Sequence, residues 1–336
     1  MEKKGTLKVC LTGGAGQIGY SLLPMIASGI VFGSDQPVEI RIHDIPQKLE
    51  HMKGIVMELE DCRYPLLKVI KYGSDAKALM DSVDWCVMLA SMPMLPGEER
   101  CDLIKKNVGL IRQFGEVLNA VAHAGTKVVV VTNPSNTMAY ALSKVFTKVP
   151  KTNITSLTMI DHNRALYQIA KKLGGDPSAV RNVVCWGNHS RTVFPDLTYA
   201  TIEGKPVLSK LKDPAWINRE FVEIIRSRAF EIQKARQQTA GFSTAAATRD
   251  HIKSLFLGTP TGEWVTMGVY TDGKVYGLPE DLYVSLPVMG EKGEYDIIEG
   301  LKWDDFAKSQ IDTSIKELVA ERVDADAALS SLTASK

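Results

Sequence analysis

Lys8-Val9-Cys10-Leu11-Thr12-Gly13-Gly14-Ala15-Gly16-Gln17-Ile18-Gly19-Tyr20-Ser21-Leu22-Leu23 is the stretch that decides the fold. An apolar, strand-like run ends in a cluster of glycines, and an apolar, helix-like run follows. Gly14-x-Gly16-x-x-Gly19 fits the dinucleotide fingerprint, in which glycines permit a tight turn and let the backbone approach a pyrophosphate at a helix N-terminus. Gly13, Gln17 and Ile18 belong to the same turn and join the expected cofactor-binding set.

A glycine turn alone is weak evidence, and its context supplies the rest. Asp44 closes the second strand-like run about 25 residues after Gly19, where an acidic residue accepts hydrogen bonds from the adenosine ribose. Ile45-Pro46 follow it, rather than a serine and arginine suited to a 2'-phosphate, so the cofactor is expected to be NAD. Arg41 and Lys48 are the two nearby cations that weigh against this.

Strand-like runs recur at 7–12, 38–44, 85–90 and 127–132, alternating with helix-like segments. Val128-Val129-Val130-Val131 is uninterrupted apolar sequence, as in a strand buried on both faces. The alternation predicts an α/β fold with a Rossmann-type, doubly wound parallel sheet over residues 1–155. Beyond 155 the rhythm changes to helix-like segments at 161–173, 214–256 and 303–330, with strand-like pieces at 264–270 and 281–288. That reads as a mixed α+β substrate domain over 156–336. No low-complexity linker separates the halves, which places the natural site in a cleft between them.

Composition narrows the function. The chain has 336 residues, 45% of them hydrophobic, enough to bury a large core. Forty basic residues against 39 acidic ones leave a formal charge of +1, so no global field favours nucleic acid or an anionic membrane. No apolar run approaches the ~20 residues of a bilayer span. The five cysteines, Cys10, Cys62, Cys86, Cys101 and Cys185, contain no CxxC pair and suit a reducing compartment. Six dispersed histidines with no HxxxH pattern give no expectation of a metal. Met1-Glu2-Lys3-Lys4 runs almost directly into the first strand, and Thr333-Ala334-Ser335-Lys336 is not a peroxisomal signal, so the expected location is the cytoplasm.

Two further stretches carry chemistry. In Ile160-Asp161-His162-Asn163-Arg164, helical spacing puts Asp161 and Arg164 on one face. Strand-like Val183-Val184-Cys185 leads into Trp186-Gly187-Asn188-His189-Ser190, presenting His189 where a strand ends. A lone histidine is more often structural than catalytic, and a lone Asp-x-x-Arg is more often a surface ion pair. His162 competes with His189 as a base but points away from the face of Arg164.

Segments 13–19, 57–62, 133–137, 157–164, 186–190 and 258–263 together resemble the cytosolic branch of the malate dehydrogenase family, in the right order and over roughly residues 7–330. The resemblance implies NAD-dependent hydride transfer to or from a 2-hydroxy acid. His189 then moves the proton, Asp161 fixes its tautomer, and Arg164 forks onto the substrate carboxylate. Asn133 contacts the nicotinamide ribose and the substrate hydroxyl, and Arg100 polarises the carbonyl from a closing loop. A homodimer is implied as well.

The loop departs from the family pattern. Members that use malate carry a sequence resembling Ser-Met-Pro-Arg-Arg-x-Gly-x-x-Arg, whose first arginine takes the second carboxylate. Here it reads Ser91-Met92-Pro93-Met94-Leu95-Pro96-Gly97-Glu98-Glu99-Arg100. Enclosing a second carboxylate without its cation costs ~3 to 5 kcal/mol, roughly a hundredfold to several thousandfold in affinity or rate. Met94 and Leu95 therefore predict a 2-oxo acid with an uncharged tail: pyruvate, an aliphatic analogue or an aromatic pyruvate. The alternatives are a genuine malate dehydrogenase in which another cation, such as Arg191, meets the distal carboxylate, and a non-catalytic NAD-binding protein.

Overall fold

The computed structural model describes residues 4–95 and 97–334. Met1 to Lys3, Ser335 and Lys336, read above for targeting signals, lie outside the described residues, as does Pro96 of the loop.

The first half is built from strands β1 (Leu7–Thr12), β2 (Val38–His43), β3 (Leu67–Gly73), β4 (Trp85–Met88), β5 (Lys127–Val130) and β6 (Ile154–Ser156). Between them run helices α1 (Gln17–Ala27), α2 (Leu49–Asp61), α3 (Ala76–Met80), α4 (Arg100–Val121) and α5 (Ser135–Val145). The strands pair in parallel in the order β3-β2-β1-β4-β5-β6, reversing direction between β1 and β4. This is the doubly wound order, and ligands of such sheets bind outside the strand C-termini at the reversal.

Alternation along the strands divides the core. Val9, Leu11, Val87 and Val129 pack on one face with α1 and α2, whereas Cys10, Cys86, Met88, Val128 and Val130 pack on the other with α4 and α5. Strand β3 was not anticipated; it lies at the sheet edge with Lys68, Val69, Lys71 and Tyr72 exposed.

The second half opens with α6 (Met159–Leu173), then short strands β7 (Val180–Arg181), β8 (Val184–Trp186), β9 (Phe194–Asp196), β10 (Thr201–Ile202) and β11 (Lys205–Pro206). Helices α7 (Val207–Lys210), α8 (Phe221–Arg236) and α9 (Phe242–Phe256) follow, then β12 (Val265–Thr271), β13 (Leu282–Glu291), β14 (Glu294–Ile297) and the long α10 (Asp305–Ala334). The large sheet runs across residue 155: β12 pairs antiparallel with β6, and β13 and β14 continue outward. Among the described residues it has nine strands. Gly268 makes this junction possible, since a Cβ there would meet Ser156 Oγ at 1.7 Å.

The expected helical segment 214–256 is broken. Gln237 adopts φ +56 and ends α8, and the chain turns through 238–241 before α9 begins. A hydrophobic cluster around Ala165, Ile169, Val183, Trp216 and Phe221 fills the part of the second half between α6 and α8, while α9, β12, β13 and α10 pack into the clusters of the large sheet.

Candidate active site

The glycine turn sits at the C-terminal tip of β1. Gly13 has φ +65, and a Cβ there would lie 2.7 Å from the backbone of Ala90, so the turn is sterically closed to other residues. At Gly19 a Cβ would approach Gly14 O to 2.2 Å, which fixes the close packing of α1 on the turn. Gly16 is exposed and a Cβ there would meet little beyond Gly13 O. It caps α1, so the outer face of the turn is bare backbone at a helix N-terminus, as a pyrophosphate requires.

Asp44 lies one residue beyond β2 and accepts hydrogen bonds from Ala15 N at 3.0 Å and Ile45 N at 2.9 Å. Its Oδ2 thus braces the glycine turn while Oδ1 holds the adjoining Ile45 N–H, and each keeps further acceptor capacity for ribose hydroxyls. Arg41 does not compete: it is 4% exposed, its Nε pairs with Glu39 at 2.7 Å, and its Nη1 donates to the carbonyls of Leu79 and Asp81. The chain at this edge fits NAD: Arg41 is engaged in the interior, and Lys48 is the exposed cation nearby.

A cleft of about 430 Å³ opens beside the turn, lined by Ile18, Leu89, Met92, Met94, Asn133, Arg164 and His189, among others. Asp161 stands in the first turn of α6, at a helix N-terminus that favours its negative charge, and is 2% exposed. Its Oδ2 lies 2.5 Å from His189 Nδ1, and its Oδ1 accepts from Arg164 Nη1 at 3.0 Å. Burial pushes the Asp161 carboxyl up, but the His189 ring and the Arg164 guanidinium outweigh it and hold the group below the usual carboxylate range. His189 Nε2 is left as the working end of the ring. Arg164 keeps a buried Nε with no hydrogen-bond partner among the described residues, an edge suited to an incoming carboxylate.

His162 does not join this group. It is 3% exposed, its Nδ1 bonds Thr266 Oγ1 at 3.1 Å, and burial pushes it down to about 4.

Two expected loop residues lie outside the cleft. Leu95 is exposed with its N–H bonded to Glu98, and Arg100, the first residue of α4, pairs through Nε with Glu321 on α10 at 2.5 Å. Neither lines the cavity. Met94 does line it and is 57% exposed. Arg191 is turned to solvent, 70% exposed and paired with Glu223.

Several contributors were not anticipated. Thr239, Ala240 and Thr244 form a further stretch of the wall, with Ala229 and Gln233 of α8. Gln17 bridges to this wall, its Nε2 donating to Thr239 O at 3.1 Å and Thr239 Oγ1 at 2.9 Å. Gly241, inside a segment read as one helix, was the available signal for that turn. Asn136 Oδ1 accepts the His189 N–H at 3.0 Å and so fixes the peptide that carries the ring. Asn107, fully buried on α4, donates to Asn133 O at 2.7 Å and accepts from Met92 N at 2.7 Å, tying the loop to the end of β5.

The fold has counterparts among known proteins. Residues 7–155 match the lactate/malate dehydrogenase NAD binding domain, and residues 158–328 match the lactate/malate dehydrogenase alpha/beta C-terminal domain. Cytoplasmic malate dehydrogenase of Zea mays is 42% identical over 323 residues, covering 95% of this chain and 97% of that one. Malate dehydrogenase from Naegleria fowleri superposes with a TM-score of 0.92 at 35% identity, covering 97% and 100% of the two chains. Trichomonas vaginalis lactate dehydrogenase in complex with NADH and oxamate gives the same TM-score, identity and coverage.

Proposed function

Since the chain belongs to the lactate/malate dehydrogenase family of NAD-dependent oxidoreductases, we propose that it interconverts 2-hydroxy and 2-oxo acids whose tails carry no charge. Pyruvate and aliphatic or aromatic pyruvates are the candidate substrates. The observation that carries this reading is the cleft itself: among the described residues lining it, Arg164 is the single arginine or lysine. One such cation serves the carboxylate common to all 2-hydroxy acids, and a second carboxylate would be left unpaired. Met94 stands on the wall instead, and Arg191 is engaged elsewhere.

In the proposed mechanism Arg164 forks onto the substrate carboxylate and orients the reacting carbon. His189 Nε2 gives its proton to the oxygen during reduction and removes the hydroxyl proton during oxidation, while Asp161 holds the tautomer and stabilises the charged ring. Bound nicotinamide dinucleotide supplies or accepts the hydride. Asn133 hydrogen-bonds substrate and ribose, the glycine turn and Asp44 hold the remainder of the dinucleotide, and Arg100 polarises the carbonyl once the loop has closed.

The competing reading is oxaloacetate reduction, favoured by relatives named malate dehydrogenase. Steady-state kcat/KM with oxaloacetate, pyruvate and phenylpyruvate decides between them. Higher values for the monocarboxylates are expected, and a clear oxaloacetate preference overturns the proposal. Cytoplasmic residence, suggested by the name of the Zea mays relative, and a homodimer, for which exposed Tyr20, Met57 and Phe242 offer apolar surface, belong to the same proposal.

A further inference from the structure

The carboxylate of Glu321, on α10, is buried and takes hydrogen bonds from three separate elements. Its Oε1 accepts from Arg100 Nε at 2.5 Å and from Asn188 Nδ2 at 3.0 Å, and its Oε2 accepts from the Thr137 hydroxyl. None of these residues is among the described lining of the cleft, but each is close in the chain to a residue that lines it or that holds His189. Arg100 begins the helix turn that carries Leu103 into the cleft, Asn188 precedes His189, and Thr137 follows Asn136, which holds the His189 N–H.

Docking of α10 does not require this arrangement. Ile311, Ile315, Leu318, Ala325 and Ala328 already bury its apolar face, and a buried carboxylate is costly unless every partner is in place. The bonds are also selective. Asn188 shares its amide hydrogens between Glu317 Oε2, at 2.8 Å, and Glu321 Oε1, one helical turn apart on α10. Glu321 engages Arg100 through Nε, so the guanidinium is oriented without consuming its Nη edge, and Nη2 is buried with no partner among the described residues.

We infer that Glu321 is a positioning residue for the dehydrogenase reaction. One carboxylate oxygen holds both the Arg100 guanidinium and the Asn188–His189 segment while Arg100 is outside the cleft, so that closure of the loop starts from a fixed relation between the group that is to polarise the substrate carbonyl and the group moving its proton. The inference rests on the roles proposed above for Arg100 and His189. It assigns Glu321 no contact with substrate.

The test is a double-mutant cycle on kcat/KM for the preferred 2-oxo acid at saturating NADH, using Arg100→Ala with Glu321→Ala and, separately, with Glu321→Gln. Glu321→Ala is expected to lower kcat/KM about tenfold or more when Arg100 is present and no more than about twofold when it is alanine. NADH affinity, read by fluorescence titration, should stay unchanged. Glu321→Gln keeps an acceptor oxygen and volume, so it should recover part of the loss, and it carries the cycle alone if the alanine variant fails to fold. Equal factors in both Arg100 backgrounds, or a parallel loss of NADH affinity, would mark Glu321 as structural and overturn the inference. If Arg100→Ala by itself leaves kcat/KM intact, the premise about Arg100 fails and the inference falls with it.

Discussion

His189 Nδ1 lies 2.5 Å from Asp161 Oδ2, with the carboxylate 2% exposed and its other oxygen held by Arg164. Of the two ring nitrogens the carboxylate engages Nδ1, which leaves Nε2 for the proposed proton exchange with substrate. Asp161→Asn preserves volume but removes the charge and permits the wrong tautomer. It should lower kcat by roughly 10²- to 10⁴-fold. NADH binding, followed by fluorescence titration, should change little; a kcat within threefold of the parent enzyme would remove the relay.

Arg164 presents a planar fork whose Nη1 is already committed to Asp161. Arg164→Lys keeps the charge but loses the second bond to the substrate carboxylate, worth about 1.5 to 3 kcal/mol. The 2-oxo acid KM should rise by roughly one to two orders of magnitude, with the NADH KM unchanged. Saturation curves for each substrate at fixed excess of the other separate the two effects.

Much of this site was legible in sequence because its parts lie in short segments with local rules. Gly13 to Gly19 need backbone freedom within one turn, and Asp161 and Arg164 meet through helical spacing. The pairing of Asp161 with His189 crosses 28 residues and was implied by family resemblance rather than by spacing. What stayed hidden depends on long-range closure: Glu321 reaches Arg100 across 221 residues, and Gln17 reaches Thr239 across 222. Edge strand β3 carries Leu67, Val69, Ile70 and Tyr72 between lysines, a pattern that was passed over, and the β6–β12 junction depends on Gly268 meeting Ser156, a contact with no local signature.

Two buried histidines predict acid sensitivity. Burial lowers His162 to about 4 and His251 to about 3 in the folded chain, against 6.5 for an ordinary histidine. The unfolded chain then binds protons that the folded one does not, so their contribution is intact above pH 6.5 and is lost as pH falls from 6.5 towards 4. His162 alone accounts for about 3 kcal/mol by the lower end of that window. Asp161 acts at still lower pH with the same sign, because its depressed pKa stabilises the fold only while it is ionised. Tm measured from pH 7 to 4 should fall steeply, and His162→Asn should flatten the slope relative to the parent.

Cofactor choice follows from Asp44 and from the engagement of Arg41. Asp44→Ala removes both the brace on Ala15 N and the ribose acceptor, a loss of about 1.5 to 3 kcal/mol. NADH affinity should weaken by roughly ten- to a hundredfold. NADPH should remain a poor cofactor for the parent enzyme, since Arg41 is tied to Glu39 and two carbonyls and cannot swing to a 2'-phosphate without leaving Glu39 unpaired. Comparable kcat/KM for NADH and NADPH would contradict this account.

Met94 offers the most direct test of substrate choice. It lines the cleft that also contains Arg164 and His189, whereas Leu95 is exposed outside that lining, so one position of the loop carries the distinction. Met94→Arg places a cation where the tail of a bound 2-oxo acid would lie. Oxaloacetate then gains a partner for its second carboxylate, and a monocarboxylate tail loses an apolar contact and faces an unpaired charge. The ratio of kcat/KM for oxaloacetate to that for pyruvate should rise by at least about a hundredfold, the factor that a ~3 kcal/mol pairing energy implies. Leu95→Arg serves as the control and should shift the ratio far less. A Met94→Arg enzyme with an unchanged ratio would mean that the tail is read elsewhere in the cleft, with Ala240 and Thr244 of its lining as the next positions to change.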